Sequence, residues 1–246
     1  MSSTRRAAFL TAEWRYLVML NYDVDPAVLH ALVPRHTELD LWNGRAIASV
    51  VGFRFLRTRL LGIPIPLHRN FEEVNLRFYV RHTTAEGEVR RGVVFVRELV
   101  PRLAIALTAR LAYNEPYLAV RMRSTAPAKP VEAPGLVSYS WKAGSHWQQL
   151  AATSNGRATL PSPVSEESFI TEHYWGYTRQ RDGGTVEYEV SHPRWRVWRA
   201  SDPLLDADVP RLYGSSFARA LAAPPTSSFI AEGSAVTVYR PRLLPQ

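Results

Sequence analysis

Glu73, Asn75, Arg77 and Tyr79 occupy every second position of the stretch Arg69–His82, RNFEEVNLRFYVRH. Side chains alternate along a strand, so these four share one face, while Val74, Leu76, Phe78 and Val80 share the other. A carboxylate, an amide, a guanidinium and a phenol on one face make either a wetted surface or a binding site. The next strand-like stretch, Gly92–Val100 (GVVFVRELV), is apolar on both faces except at Arg97-Glu98, which indicates a sheet covered on both sides. If the two stretches pair, the Glu73 face looks into an enclosed space. There, Glu73 can serve as a base and Arg77 can hold an anion. A cross-strand ion pair between Glu73 and Arg77 is the structural alternative.

Neighbouring charges constrain the picture. Glu72 and Glu73 point to opposite faces and cannot work as a carboxylate pair on one substrate. Arg97 and Glu98 place one charge on each face of their strand. Buried charges need partners, so Arg97 or Glu98 is expected to pair with Glu73 or Arg77.

Other chemistries leave no trace. There is no G-x-G-x-x-G, phosphate loop, G-x-S-x-G or H-E-x-x-H. The chain has no cysteine, which removes disulfides, thiolate catalysis and thiolate metal sites. His68, His82, His146, His173 and His192 lack metal-ligand spacing, so neither metal nor cofactor is expected. The formal charge is +8, carried by 28 Arg and only 2 Lys, Lys129 and Lys142. The arginines are scattered, and the cluster Arg194-Trp195-Arg196-Val197-Trp198-Arg199 reads as strand and rim packing, so nucleic acid is not an expected partner. No apolar run reaches the roughly 20 residues of a membrane span, so no membrane association is expected. A cytoplasmic location fits the missing cysteines.

The elements that must position the polar face follow from periodicity. Glu13–Tyr22, Arg45–Arg59, Glu72–Val80, Gly92–Val100, Tyr117–Arg123, Leu136–Trp147, Phe169–Arg179, Val186–Ser191 and Ser228–Tyr239 read as strands. Gly52 marks a bulge or a close approach inside the second of these. Asp25-Pro26 opens a short helix that Pro34 ends. Leu103, Leu107 and Leu111 predict a helix ending near Asn114-Glu115-Pro116, and Pro210–Leu221 predicts another. Thr153–Ser165 reads as a polar loop, Ser124–Pro134 as a proline-rich surface loop or linker, and residues 1–9 as flexible. Long strands with few helices imply a curved, β-rich α+β domain spanning 1–246, its sheet closing on itself with helices outside.

The order of segments resembles a known superfamily. A strand, then VDPAVLHALVP, a long strand, NFEEVNLRFYV and AIALTARLAYNEPY are similar to the acetoacetate decarboxylase-like proteins. With EHYWGYT and FIAEGSAV, the chain more closely resembles the YqjF-like bacterial family of unknown function, over about Leu10 to Tyr239. The resemblance implies a closed antiparallel β-barrel or cone with an internal cavity and a few peripheral helices. It carries the decarboxylases' active-site glutamate onto Glu73. It keeps Arg110 of their helix end, puts Leu111 where they have a helix glutamate, and puts Tyr117 at the Schiff-base lysine. A phenol cannot form an imine, so the parental amine catalysis is lost.

Three functions remain open on sequence. In the first, the cavity binds a small anionic or carbonyl-bearing molecule through Asn75, Arg77, Arg97, Arg110 and Glu115. In the second, Glu73 as base and Tyr117 as acid catalyse a lyase- or hydrolase-like reaction without a covalent intermediate. In the third, the lumen is filled by side chains and the protein is structural. Exposed strand edges allow a homodimer.

Overall fold

The computed structural model describes residues 7–64, 69–101 and 116–245. Fifteen strands follow in chain order: β1 (Ala8–Asp23), β2 (Glu38–Leu39), β3 (Ile47–Leu60), β4 (Ile63–Pro64), β5 (Phe71–Thr83), β6 (Val89–Val100), β7 (Tyr117–Ala119), β8 (Met122–Ser124), β9 (Leu136–Ala143), β10 (His146–Thr159), β11 (Trp175–Arg179), β12 (Thr185–Ser191), β13 (Val197–Asp206), β14 (Ser227–Tyr239) and β15 (Arg242–Leu243). The path β12-β11-β6-β5-β3-β1-β14 returns to its start, because Val190 and Ser191 of β12 pair with Val238 and Thr237 of β14. Seven strands thus form a ring, which leaves the ring itself no open edge. Every contact in it is antiparallel except β6 with β11, where Trp175 and Gly176 run parallel to Gly92 and Val93. The expected closed antiparallel sheet therefore has one parallel seam.

From β14 the sheet continues through β13, β10, β9 and β8, and this arm folds over the outside of the ring. Its apolar side chains, among them Tyr139, Trp141 and Leu150, join Val18, Leu20, Val50, Val74, Leu76 and Phe78 in one core. A second core inside the ring contains Leu17, Met19, Val51, Phe53, Phe55 and Phe71. β5 is thus buried on both faces. Its alternation separates a greasy interlayer face from the face of Glu73.

Gly52 is a point of close approach. A Cβ there would lie 2.6 Å from Cδ2 of Tyr139, so the missing side chain lets the outer layer rest on β3. The bulge lies on the facing strand: register between β1 and β3 shifts between Arg15 and Val18, with Tyr16 at φ 54°. That bulge aims Tyr16 at the proline-rich loop, where its hydroxyl donates to the Lys129 carbonyl at 2.6 Å and accepts from the Val131 amide at 2.9 Å. Arg54 and Trp198 also reach the loop, through the carbonyls of Ala126 and Glu132. Tyr16→Phe should lower stability by about 1–2 kcal/mol in urea unfolding, since a main-chain donor and acceptor lose their partner together. A change below 0.5 kcal/mol would show the loop to be held elsewhere.

Several sequence expectations shift. Phe169–Arg179 is not one strand: a helix, Glu166–Thr171, capped by Ser165, precedes β11. Thr153–Ser165 is not all loop, since β10 runs to Thr159. Leu136–Trp147 spans a hairpin turned at Gly144, φ 60°. The helix expected at Pro210–Leu221 is two, Val209–Tyr213 and Ala218–Ala222, parted at Gly214 with φ 96°. The helix expected around Leu103–Leu111, like Arg110, Glu115 and His68, lies outside the described residues. Among the described residues, no helix is long and apolar enough to cross a membrane.

Candidate functional site

Inside the ring lies a cavity of about 220 Å³. Its body is aromatic. Trp14 packs edge-on against Phe53 at 5.3 Å and Phe55 at 5.7 Å, Phe55 stacks on Phe71 at 4.5 Å, and His192 stacks on Trp195 at 4.0 Å. Against this apolar surface stand a few polar side chains, the usual make-up of a small-molecule site.

β5 supplies three of them. Glu73 is 2% exposed, Asn75 1% and Arg77 8%, and all three line the cavity. Their register fixes the direction, because they face Phe53, Val51 and Ser49 of β3, whose inner face is core. Asn75 donates its Nδ2 to Glu73 Oε1 at 2.9 Å. The Arg77 guanidinium lies 5.7 Å from the Tyr79 ring centroid and reaches the Ile170 carbonyl at 3.5 Å. Its Nε, like Asn75 Oδ1, is buried without a hydrogen-bond partner among the described residues. Leaving such an atom unsatisfied costs about 1–3 kcal/mol, more when the group is charged. A buried group left so calls for an explanation, and a partner supplied from inside the cavity is one.

β6 supplies the second carboxylate, and here the sequence reading needs correction. Asn75 pairs with Glu98 and Leu76 with Arg97, and the register then slips so that Arg77 pairs with Phe95. The slip leaves Val96 as an extra residue, so both Glu98 and Phe95 face the cavity. Arg97 faces outward to the other layer and donates to the Leu212 carbonyl at 3.2 Å. Arg97 is therefore not a lining residue, and Glu98, 2% exposed, takes that place. Glu72 is on the outer face as expected, accepting from Ser124 at 3.0 Å. Tyr117 opens β7, pairs in parallel with Glu98, and lines the cavity.

A further group was not legible in the sequence. β2 pairs with β5 and brings Asp40 beside Tyr79, whose carbonyl takes the Asp40 amide at 3.0 Å. Asp40 Oδ2 accepts from Arg91 Nε at 2.6 Å and from His173 Nε2 at 3.0 Å. Burial pushes the Asp40 carboxyl up, but the hydrogen bonds from His173 and Arg91 outweigh it and hold the group below the usual carboxylate range. His173 follows the helix Glu166–Thr171 and lines the cavity, and burial lowers its pKa to about 4. Burial does the same to His192, at about 4. The short sequence run from Glu38 to Asp40 offers no periodic signal that could have pointed to Asp40.

The DUF2071 pattern, that of an uncharacterised conserved protein, matches residues 11–235. The chain belongs to this family. The uncharacterised protein YqjF of Bacillus subtilis strain 168 is 29% identical over 192 residues, 76% of this chain and 74% of YqjF. Among solved structures, the acetoacetate decarboxylase of Legionella pneumophila superposes with TM-score 0.66 at 13% identity, covering 97% of this chain and 88% of its own. An acetoacetate decarboxylase-like enzyme from Sphingomonas wittichii RW1 gives 0.67 at 15%, covering 97% and 94%. The enduracididine biosynthesis enzyme MppR, complexed with pyruvate, gives 0.66 at 15%, covering 99% and 93%. The acetoacetate decarboxylase-like fold is thus shared, and at these identities nothing beyond the fold is.

Proposed function

We propose that this protein binds, without a covalent bond, a small molecule carrying a carboxylate or carbonyl oxygen, held on Arg77 inside the ring. The observation that carries this reading is the buried Arg77 Nε on the wall of a largely apolar cavity, with no acceptor among the described residues. A ligand oxygen supplies that acceptor in a charge-assisted bond. The aromatic wall takes the ligand's apolar body. The shared fold lends support, since MppR was captured with pyruvate, a keto acid.

Imine chemistry is excluded by composition. The chain has two lysines, Lys129 and Lys142. Lys129 belongs to the loop over Tyr16, and Lys142 lies on β9 in the outer layer. Neither lines the cavity, so no side-chain amine meets a carbonyl there. A second reading, non-covalent acid–base catalysis by Glu73 with Tyr117, draws on Tyr117 pairing with Glu98 and on Glu73, Glu98 and Tyr117 all lining the cavity. The two readings part on whether the bound compound is returned unchanged or converted.

Native mass spectrometry of the purified protein, followed by denaturation, tests this. A small acid or carbonyl compound should be released in stoichiometric amount. Arg77→Met should weaken its retention by about tenfold or more, while Arg97→Met, altered on the outer face, should retain it. Equal retention by both variants would sink the assignment. The continuous sheet supports one domain, the missing cysteines a cytoplasmic protein, and the outer strands β8 and β15 leave edges for a homodimer.

A further inference from the structure

The Asp40–His173 pair does more than bury two polar groups, and what it does rests on the reading of the cavity given above. We propose that Asp40 locks His173 as the Nε2–H tautomer, so that Nδ1 accepts a hydrogen bond from a hydroxyl of the ligand and the cavity selects a hydroxy acid.

The tautomer follows from the partners. Asp40 Oδ2 is shared by Arg91 Nε at 2.6 Å and His173 Nε2 at 3.0 Å. The Arg91 guanidinium beside it favours an ionised Asp40. An ionised carboxylate only accepts, so the imidazole proton of a neutral ring sits on Nε2 and the lone pair on Nδ1. The ring cannot turn away: it lies 4.6 Å from the Tyr79 centroid and 5.1 Å, edge to face, from Phe169. Its side chain is 1% exposed, and Nδ1 is buried with no hydrogen-bond partner among the described residues.

The neighbourhood sets the ligand class. Arg77 and His173 both line the cavity and both lie against the Tyr79 ring. A fixed cation beside a fixed neutral acceptor matches a carboxylate beside a hydroxyl. A purely structural Asp–His–Arg cluster uses Nε2 alone and leaves the choice of acid open. A site built to bond a hydroxyl rejects the analogue without one, because the acceptor is then left unmade.

Two probes differing only in the hydroxyl test this, racemic phenyllactate and 3-phenylpropanoate. Phenyllactate should bind the wild-type chain about tenfold more tightly by calorimetry. His173→Phe keeps Asp40 paired with Arg91, and there the ratio of the two affinities should fall to about one. The measurement that needs no variant is the two-bond ¹H–¹⁵N spectrum of histidine-labelled protein. It should show His173 as the Nε2–H form, with Nδ1 shifting on addition of phenyllactate only. An Nδ1–H tautomer, equal affinity for the two acids, or a preference surviving in His173→Phe would overturn this inference and leave Arg77's role standing. Failure of both acids to bind the wild type would overturn the Arg77 reading, and this one with it.

Discussion

Glu187→Ala should lower the unfolding free energy by about 3 kcal/mol at neutral pH, read as a fall in the urea midpoint with little change in slope. Glu187 is 0% exposed and accepts from Arg90 Nη1 at 3.0 Å and from Arg242. Arg90 is itself 12% exposed and lies 4.6 Å from the Trp175 ring, while Arg242 is half in solvent. Removing the carboxylate leaves Arg90 with Glu88, 57% exposed, and the more distant, exposed Glu86 as acidic neighbours. The loss matters because of where it falls. β6 and β11 meet by two parallel residue pairs, a seam as thin as the two pairs that join β12 to β14, and Glu187 ties β6 to β12 and β15 across it. Glu187→Leu combined with Arg90→Met should recover most of the loss, because a buried pair replaced whole by apolar groups costs far less than one broken in half. A single-variant loss below 1 kcal/mol would show that the seam is held by packing instead.

That seam also shows why part of the structure could be read from the sequence. Gly92 and Gly176 sit at it with tyrosines laid over them: a Cβ on Gly92 would be 2.6 Å from the Trp175 carbonyl, and one on Gly176 2.1 Å from Tyr188. Sequence shows the glycines, but only the closed ring shows what they make room for. The long strands β1, β3, β5, β6 and β14 were legible because each has one buried face in strict alternation or is apolar throughout. Glu73, Asn75 and Arg77 were legible as a shared face for the same reason.

What was illegible depends on events that alternation does not encode. One extra residue at Val96 decides that Glu98 and Phe95, not Arg97, face inward. The helix Glu166–Thr171 was hidden because Phe169, Ile170 and Thr171 favour strands, although Ser165 followed by Glu166 and Glu167 is a helix-start signal. Missing that helix hid His173 as well. Its partner Asp40 is 133 residues away in sequence and arrives by tertiary pairing of a two-residue strand.

Acid should destabilise this fold through the same histidine. In the folded chain, burial lowers His173 to about 4, while an unfolded histidine titrates near 6.5. The Asp40 carboxylate pulls the ring's pKa up and Arg91 and Arg77 push it down, so these three charges around it leave burial in control. Below pH 6.5 the unfolded chain takes up a proton that the folded chain refuses, so stability falls as pH falls, until about pH 4. At about 1.4 kcal/mol per pH unit, His173 alone accounts for about 3 kcal/mol over that window. Asp40 acts in the same direction: its folded pKa is depressed, so its contribution is present above the unfolded value and fades as pH falls through the folded one. Urea unfolding between pH 4 and 7.5 reads the slope, and His173→Phe isolates the ring, because the variant keeps His192 and every carboxylate. Its stability should depend on pH less steeply than the wild type by close to one proton. Parallel curves for the two chains would mean that His173 protonates in place and that Asp40 holds an imidazolium. The cavity would then present a donor rather than an acceptor beside Arg77, and its polar end would suit two carboxylate oxygens instead of a carboxylate and a hydroxyl.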